Sequence, residues 1–123
     1  MKKIMIVDDF EQNARLIQKI LEREERMSMT VAFSGEEAIE LWKSEGGFDL
    51  ILMDVMMPVM TGFETSEQIR SLEGGKEVPI ILVTAAEEDY YQEEVERAGI
   101  NDYIMKPVVR KTLVEKVHQW TGR

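Results

Sequence analysis

Apolar residues fall along this chain in two patterns that take turns. Short continuous runs cover Lys3 to Val7, Thr30 to Phe33, Leu50 to Met53, Val78 to Val83 and Asp102 to Met105. Runs this short and this apolar predict strands buried on both faces of a parallel sheet. Between them the spacing changes to that of a helix. Phe10, Ala14, Ile17 and Leu21 make one stripe, with Leu16 and Ile20 widening it. Glu11–Arg15 and Glu22–Arg26 sit four apart on its wet side. Ser34-Gly35 opens a second helix carrying Ala38, Leu41 and Trp42, and Gly46-Gly47 stops it. Phe63 to Leu72 predicts a third, broken by Gly74-Gly75. Glu87 to Arg97 predicts an acidic fourth, stopped by Gly99, and about Arg110 to Trp120 a last one with Leu113, Val117 and Trp120 inward.

Strict alternation of strand and helix calls for an α/β fold, a doubly wound parallel sheet with helices on both faces and right-handed crossovers. For a chain of 123 residues we expect one domain, residues 1–123, without linker or repeat. The expected architecture is a five-stranded, three-layer α/β/α sandwich in the flavodoxin-like order 2-1-3-4-5. That order makes the first and third strands neighbours. Asp8-Asp9, closing the first strand, and Asp54, closing the third, then meet at the carboxyl edge of the sheet, where such folds bind ligands. Thr84 and Lys106 arrive there from the ends of the next two strands.

Carboxylates crowded within a few ångströms need a cation or a proton. Mg²⁺ suits them because it prefers hard oxygen ligands and keeps several waters, and Mn²⁺ accepts similar ligands. Lys106 supplies a second, fixed positive charge. With a metal and an ammonium beside it, Asp54 is a poor general base but well placed as a nucleophile toward phosphorus. The same charges would neutralise the oxygens of an incoming phosphoryl group, to which the Thr84 hydroxyl can donate.

Charge and composition narrow the classes. A net charge of −9 argues against direct binding to nucleic acid or to an anionic membrane. The chain has no cysteine, which excludes disulfides and thiol chemistry. No apolar run approaches the roughly 20 residues that span a bilayer, and only four apolar residues follow Met1-Lys2-Lys3 before Asp8, so a cytoplasmic protein is expected.

Four pieces in order carry a resemblance: Asp8-Asp9, LMDVMMPVMTG around Asp54, VTA at Val83 to Ala85, and YIMKP at Tyr103 to Pro107. Over its whole length the chain resembles a receiver domain of the CheY-like kind, from two-component response regulators. The resemblance implies that Asp54 is the phosphoacceptor, with Lys106 paired to the phosphoryl group. It implies that Asp9, Asp54 and the backbone carbonyl of Met56 bind Mg²⁺ directly and Asp8 partly through water. Backbone groups of Met56 and Ala85 would contact the phosphoryl oxygens, and Lys106-Pro107 would be a cis peptide. Thr84 and Tyr103 would form a switch that remodels the surface of the fourth helix, fifth strand and fifth helix. Met56 and Ala86 occupy the positions that tune dephosphorylation, and neither side chain can hold an attacking water, so slow self-hydrolysis is expected. Such a domain is not a conventional enzyme; it promotes its own phosphorylation and dephosphorylation. Its partners would be a sensor histidine kinase or a histidine phosphotransfer protein and a downstream protein target.

Blander accounts exist for single residues. Asp9 alone could cap a helix, Thr84 could be a strand-end β-branched residue, Lys106 a solvated lysine and Tyr103 a core aromatic. Thr61 stands where the family more often has an acid or amide, which affects local turn stability. His118, the only histidine, is expected at the surface, and Met53, Met56, Met57 and Met60 are expected to fill packing gaps. A flavodoxin would need a hydroxyl- and glycine-rich phosphate loop where this chain has Asp8-Asp9-Phe10-Glu11. An aspartate-nucleophile phosphatase would need an acid where Met56 stands. A nearer rival is the receiver of a hybrid histidine kinase, which Asn13, the MPVMTGFET stretch and Trp120 also resemble, and which relays phosphate to a histidine phosphotransfer domain.

Overall fold

Strands and helices alternate through the computed structural model, which describes residues 1–86 and 90–122. In chain order they are β1 (Lys2–Val7), α1 (Glu11–Glu22), β2 (Met27–Ala32), α2 (Gly35–Glu45), β3 (Leu50–Asp54), α3 (Gly62–Arg70), β4 (Ile80–Thr84), α4 (Gln92–Ala98), β5 (Asp102–Met105) and α5 (Arg110–Thr121). All pairings are parallel and the strand order is β2-β1-β3-β4-β5, the doubly wound flavodoxin-like arrangement expected from the alternation.

Alternate residues of each strand point to opposite faces, and here both faces are dry. Leu50 and Leu52 of β3 pack with Ala14, Ile17 and Leu21 of α1 and Leu113 and Val117 of α5. Ile51 and Met53 pack on the other face with Ala38, Ile39 and Trp42 of α2 and Ile69 of α3. A smaller cluster, Val55, Phe63, Leu82 and Ala98, seats α4 against α3 and β4. Each fully buried aliphatic side chain stabilises the fold by roughly 1.5–3 kcal/mol, so β3 and β4, both buried throughout, anchor the sheet most firmly.

Register carries that firmness to the carboxyl edge. Asp54 lies beside Val83, Thr84 lies beside Met105, and the Lys106 N–H donates to the Thr84 carbonyl at 2.8 Å. The ends of β3, β4 and β5 thus form a staircase delivering an acid, a hydroxyl and an amine.

Local chemistry explains several boundaries. Ser34 caps α2 by accepting the Glu37 N–H at 3.0 Å. Thr61 makes a capping box: its hydroxyl accepts the Glu64 N–H at 3.1 Å while Glu64 Oε1 accepts the Thr61 N–H at 2.9 Å. A threonine there gives the turn after the site a complete cap. Gly62 follows because a Cβ on it would lie 2.0 Å from the Asp54 carbonyl oxygen.

Elsewhere the pattern misleads. Phe10 is not in the α1 stripe: it precedes the helix in an extended conformation, 54% exposed, because Asp8 Oδ1 accepts its N–H at 2.9 Å. Leu16, beside the stripe rather than in it, is 49% exposed. Glu11 and Arg15 do pair, at 3.5 Å. Glu22–Arg26 makes no ion pair among the described residues, since α1 ends at Glu22 and Arg26 turns to φ 65°. β2 starts at Met27, ahead of Thr30, α3 stops at Arg70, short of Leu72, and β4 begins at Ile80, just past Pro79, which cannot donate to a ladder. α4 runs from Gln92 and ends on a left-handed Gly99, φ 69°; Glu87 to Asp89, where that helix was expected to begin, lie outside the described residues.

Candidate functional site

At the carboxyl edge, Asp8, Asp9 and Asp54 each place an oxygen within 4.8 Å of the others. Asp8 is 2% exposed and Asp54 7%, while Asp9 is exposed at the rim. Lys106 Nζ donates to Asp54 Oδ1 at 2.9 Å and lies 3.9 Å from Asp8 Oδ2. The Lys106–Pro107 peptide is cis. These groups line one cleft with Phe10, Asn13, Met56, Thr84, Ala85, Ala86 and Tyr91.

Burial pushes the Asp8 carboxyl above its ordinary value of 3.8; the Phe10 N–H pulls it back, Asp54 raises it further, and Lys106 and Asp9 act in opposite senses. A raised folded-state value means that the folded chain holds this proton more tightly than the unfolded one. Stability contributed by Asp8 therefore declines as pH rises through that window. Asp8→Asn keeps the acceptor for Phe10 and removes the charge, so in metal-free buffer at neutral pH we expect the variant to be more stable than wild type, with a higher thermal midpoint. The gap from wild type should close as pH falls toward 3.8, and an Asn variant less stable than wild type at neutral pH would contradict this.

The donor set fits a hard dication: carboxylates gathered at one edge, two of them buried, opposed by one close ammonium. Thr84, 7% exposed, has its Oγ1 occupied within its own loop, accepting the Ala86 N–H at 3.0 Å. Tyr103 stands on β5, half-buried. With Thr84, Leu82, Tyr91, Val95 and Ile100 it lines a partly open hollow of about 160 Å³ that shares Thr84 and Tyr91 with the cleft. Met53 and Met57 are buried packing residues, but Met56 is 70% exposed at the mouth of the cleft and fills no gap.

A model of the response regulator receiver domain matches residues 4–118. The chain belongs to the response regulator receiver domain family. Among relatives of this receiver domain, the transcriptional regulatory protein ResD of Bacillus subtilis is 40% identical over 115 residues, covering 94% of this chain and 46% of ResD. The chemotaxis protein CheY of Pseudomonas aeruginosa is 34% identical over 117 residues, covering 95% of this chain and 94% of CheY. The receiver domain of the sensor histidine kinase PA1611 from P. aeruginosa PAO1 superposes with a TM-score of 0.88 at 33% identity, covering 99% of this chain and 98% of that one. Its structure holds a magnesium ion in the active site cleft. The chain spans less than half the length of some curated relatives it matches, 46% of ResD and as little as 7% of another. Receiver domains are the phosphoaccepting signalling domains of two-component and phosphorelay systems, and this chain is one of them.

Two networks in the receiver domain escape sequence patterns. His118 is half-buried, not simply at the surface: its Nε2 lies 3.0 Å from Glu24 Oε1, and Arg110 approaches the same carboxylate at 3.5 Å. Asp102 accepts from Lys116 at 2.7 Å, from Trp120 Nε1 at 2.8 Å and from the Tyr103 N–H at 2.8 Å. Burial alone would raise the Asp102 carboxyl, but these donors hold it below its ordinary value. Among the described residues, no helix is long and apolar enough to cross a membrane.

Proposed function

We propose that this receiver domain takes a phosphoryl group onto Asp54 from a sensor histidine kinase or a histidine phosphotransfer protein. The observation that carries the proposal is the burial of Asp54 at a strand end, 2.9 Å from Lys106 Nζ and clustered with Asp8 and Asp9. An Asp54 carboxylate oxygen attacks phosphorus, a P–O bond forms, and the bond to the donor's imidazole nitrogen, or to acetate in acetyl phosphate, breaks. Asp9, Asp54 and the Met56 carbonyl would hold a Mg²⁺ ion, with Asp8 partly through water. Bound there, the ion would neutralise charge on the transferring oxygens, and Mn²⁺ could take the same ligands. Lys106 faces the same oxygens as a fixed cation, and backbone groups of Met56 and Ala85 border them. EDTA should abolish phosphorylation by acetyl phosphate and excess Mg²⁺ restore it; uptake indifferent to chelation would contradict the assignment.

Phosphorylation would draw Thr84 off the Ala86 N–H toward the acyl phosphate, and Tyr103 would move into the hollow that the two residues line. The surface of α4, β5 and α5 would then differ for a downstream protein in the cytoplasm. The alternative, relay to a histidine phosphotransfer domain, is supported by the similarity to the receiver of a sensor histidine kinase. Rapid back-transfer from Asp54 to such a domain favours relay; phospho-dependent binding of a target, lost in Thr84→Ala, favours the switch.

Neither Met56 nor Ala86 can orient water toward the acyl phosphate. We therefore expect slow decay after the phosphodonor is removed, and faster decay in Met56→Asn. A variant that decays no faster would remove Met56 from that role.

A further inference from the structure

We infer that Lys116 is a positioning residue that holds the Tyr103 ring in the seat it occupies beside α5, and that Asp102 and Trp120 hold Lys116. The inference rests on the Thr84–Tyr103 switch proposed above and adds what opposes it in the resting state.

Tyr103 stands between two hollows. On one side it lines a partly open hollow of about 160 Å³ with Leu82, Thr84 and Val95, edged by the polar Asn101 and Asp102. On the other side it borders a groove with Pro107, Thr112 and Lys116. The Lys116 ammonium lies 5.0 Å from the centroid of the Tyr103 ring and donates to the Tyr103 carbonyl at 2.8 Å. A lysine is normally a mobile point charge on a flexible stem. This one is anchored by Asp102 Oδ1 at 2.7 Å, and the other oxygen of that carboxylate is fixed by Trp120 Nε1 at 2.8 Å. The same side chain therefore holds the backbone of Tyr103, attracts its ring and is itself fastened to α5 and β5. Moving the ring into the first hollow breaks the cation–π contact while leaving the Asp102 pair intact. Lys116 thus biases one of two seats. A contact of this kind sets the ratio of the seats by roughly two- to five-fold.

The ring is read directly by fluorine NMR of protein labelled with 3-fluorotyrosine, in which Tyr103→Phe identifies the Tyr103 resonance. Without phosphodonor, Lys116→Gln should move that resonance part of the way to its position in wild type treated with acetyl phosphate and Mg²⁺. Lys116→Arg, which keeps a cation over the ring, should restore it. Trp120→Phe, which keeps the packing and loses the N–H, should give a smaller shift in the same direction and serves if Lys116→Gln fails to fold. A role in stability alone would lower the thermal midpoint of Lys116→Gln and leave the Tyr103 resonance in place. Resonances unchanged in both Lys116→Gln and Trp120→Phe overturn the inference. Intact mass on the same samples separates this from the switch itself: a wild type that takes up phosphoryl without any movement of the Tyr103 resonance overturns the switch.

Discussion

Lys106→Met should unfold several degrees below wild type in magnesium-free buffer and recover most of that loss when Mg²⁺ is added. Lys106 Nζ sits 2.9 Å from Asp54 and 3.9 Å from Asp8, and both carboxylates are buried. Removing one partner of a buried pair typically destabilises by about 3–5 kcal/mol, because the remaining charge is stranded away from water. The Lys106 side chain is 27% exposed, so its charge is partly screened, and we expect the low end, about 3 kcal/mol. The methionine chain fills the space of the lysine stem and adds no charge. Ion binding to the folded state alone adds stability in proportion to ligand concentration over Kd. Without the ammonium, nothing cationic among the residues lining the cleft opposes a dication, so the variant should gain more from Mg²⁺ than wild type does. Calorimetry at increasing Mg²⁺ gives both values. An equal Mg²⁺ increment in the two proteins would mean that Lys106 does not face the ion's site.

Arg70→Met should be the most damaging change away from the cleft, with a loss of about 3 kcal/mol, or roughly 10 °C of thermal midpoint. Nη1 of Arg70 donates to the carbonyls of Gly75 and Val78 at 2.7 and 2.5 Å. Nη2 donates to Gly99 O at 2.6 Å and to Asn101 Oδ1 at 2.9 Å, and that same oxygen accepts the Ile80 N–H at 2.8 Å. One guanidinium thus ties the end of α3 to the entry of β4 and to the turn between α4 and β5. Burial lowers its proton affinity below the ordinary arginine value, a sign that the site desolvates the charge. Its partners are carbonyl oxygens, so the loss should persist at high salt, unlike that of a surface ion pair. Lysine has no planar fork to reach both sides, and Arg70→Lys should recover little. A midpoint within 2–3 °C of wild type would show that water replaces the fork at little cost.

How much could be read in the chain itself depends on the range of the forces involved. The place of Asp54 is legible because a carboxylate interrupts an apolar run at the carboxyl edge of the sheet, where such folds bind ligands, and the structure gathers it there with Asp8 and Asp9. Lys106 and Thr84 were visible because strand order puts the ends of successive parallel strands side by side. Phe10 deceived because its spacing matched the α1 stripe, while a hydrogen bond from its own N–H to Asp8 kept it out of the helix. Met56 deceived because an apolar residue beside a buried strand is usually buried, whereas the loop after Asp54 turns this one outward. Arg70, and the set of Asp102, Lys116 and Trp120, were illegible for another reason. Arg70 reaches Gly99 and Asn101, and Asp102 reaches Trp120, only once β4, β5 and α5 are packed, and nothing periodic marks these contacts. His118 belongs with them, since Glu24 reaches it across 94 residues of sequence.

The central claim is that the Asp54 carboxylate is held for reversible bonding to phosphorus, and intact mass spectrometry tests it most directly. Treated with acetyl phosphate and Mg²⁺, the wild-type chain should gain the mass of one phosphoryl group, Asp54→Asn should gain none, and the adduct should be lost on standing. Equal gain by Asp54→Asn, or no gain by a folded wild-type chain that binds Mg²⁺, would contradict the account.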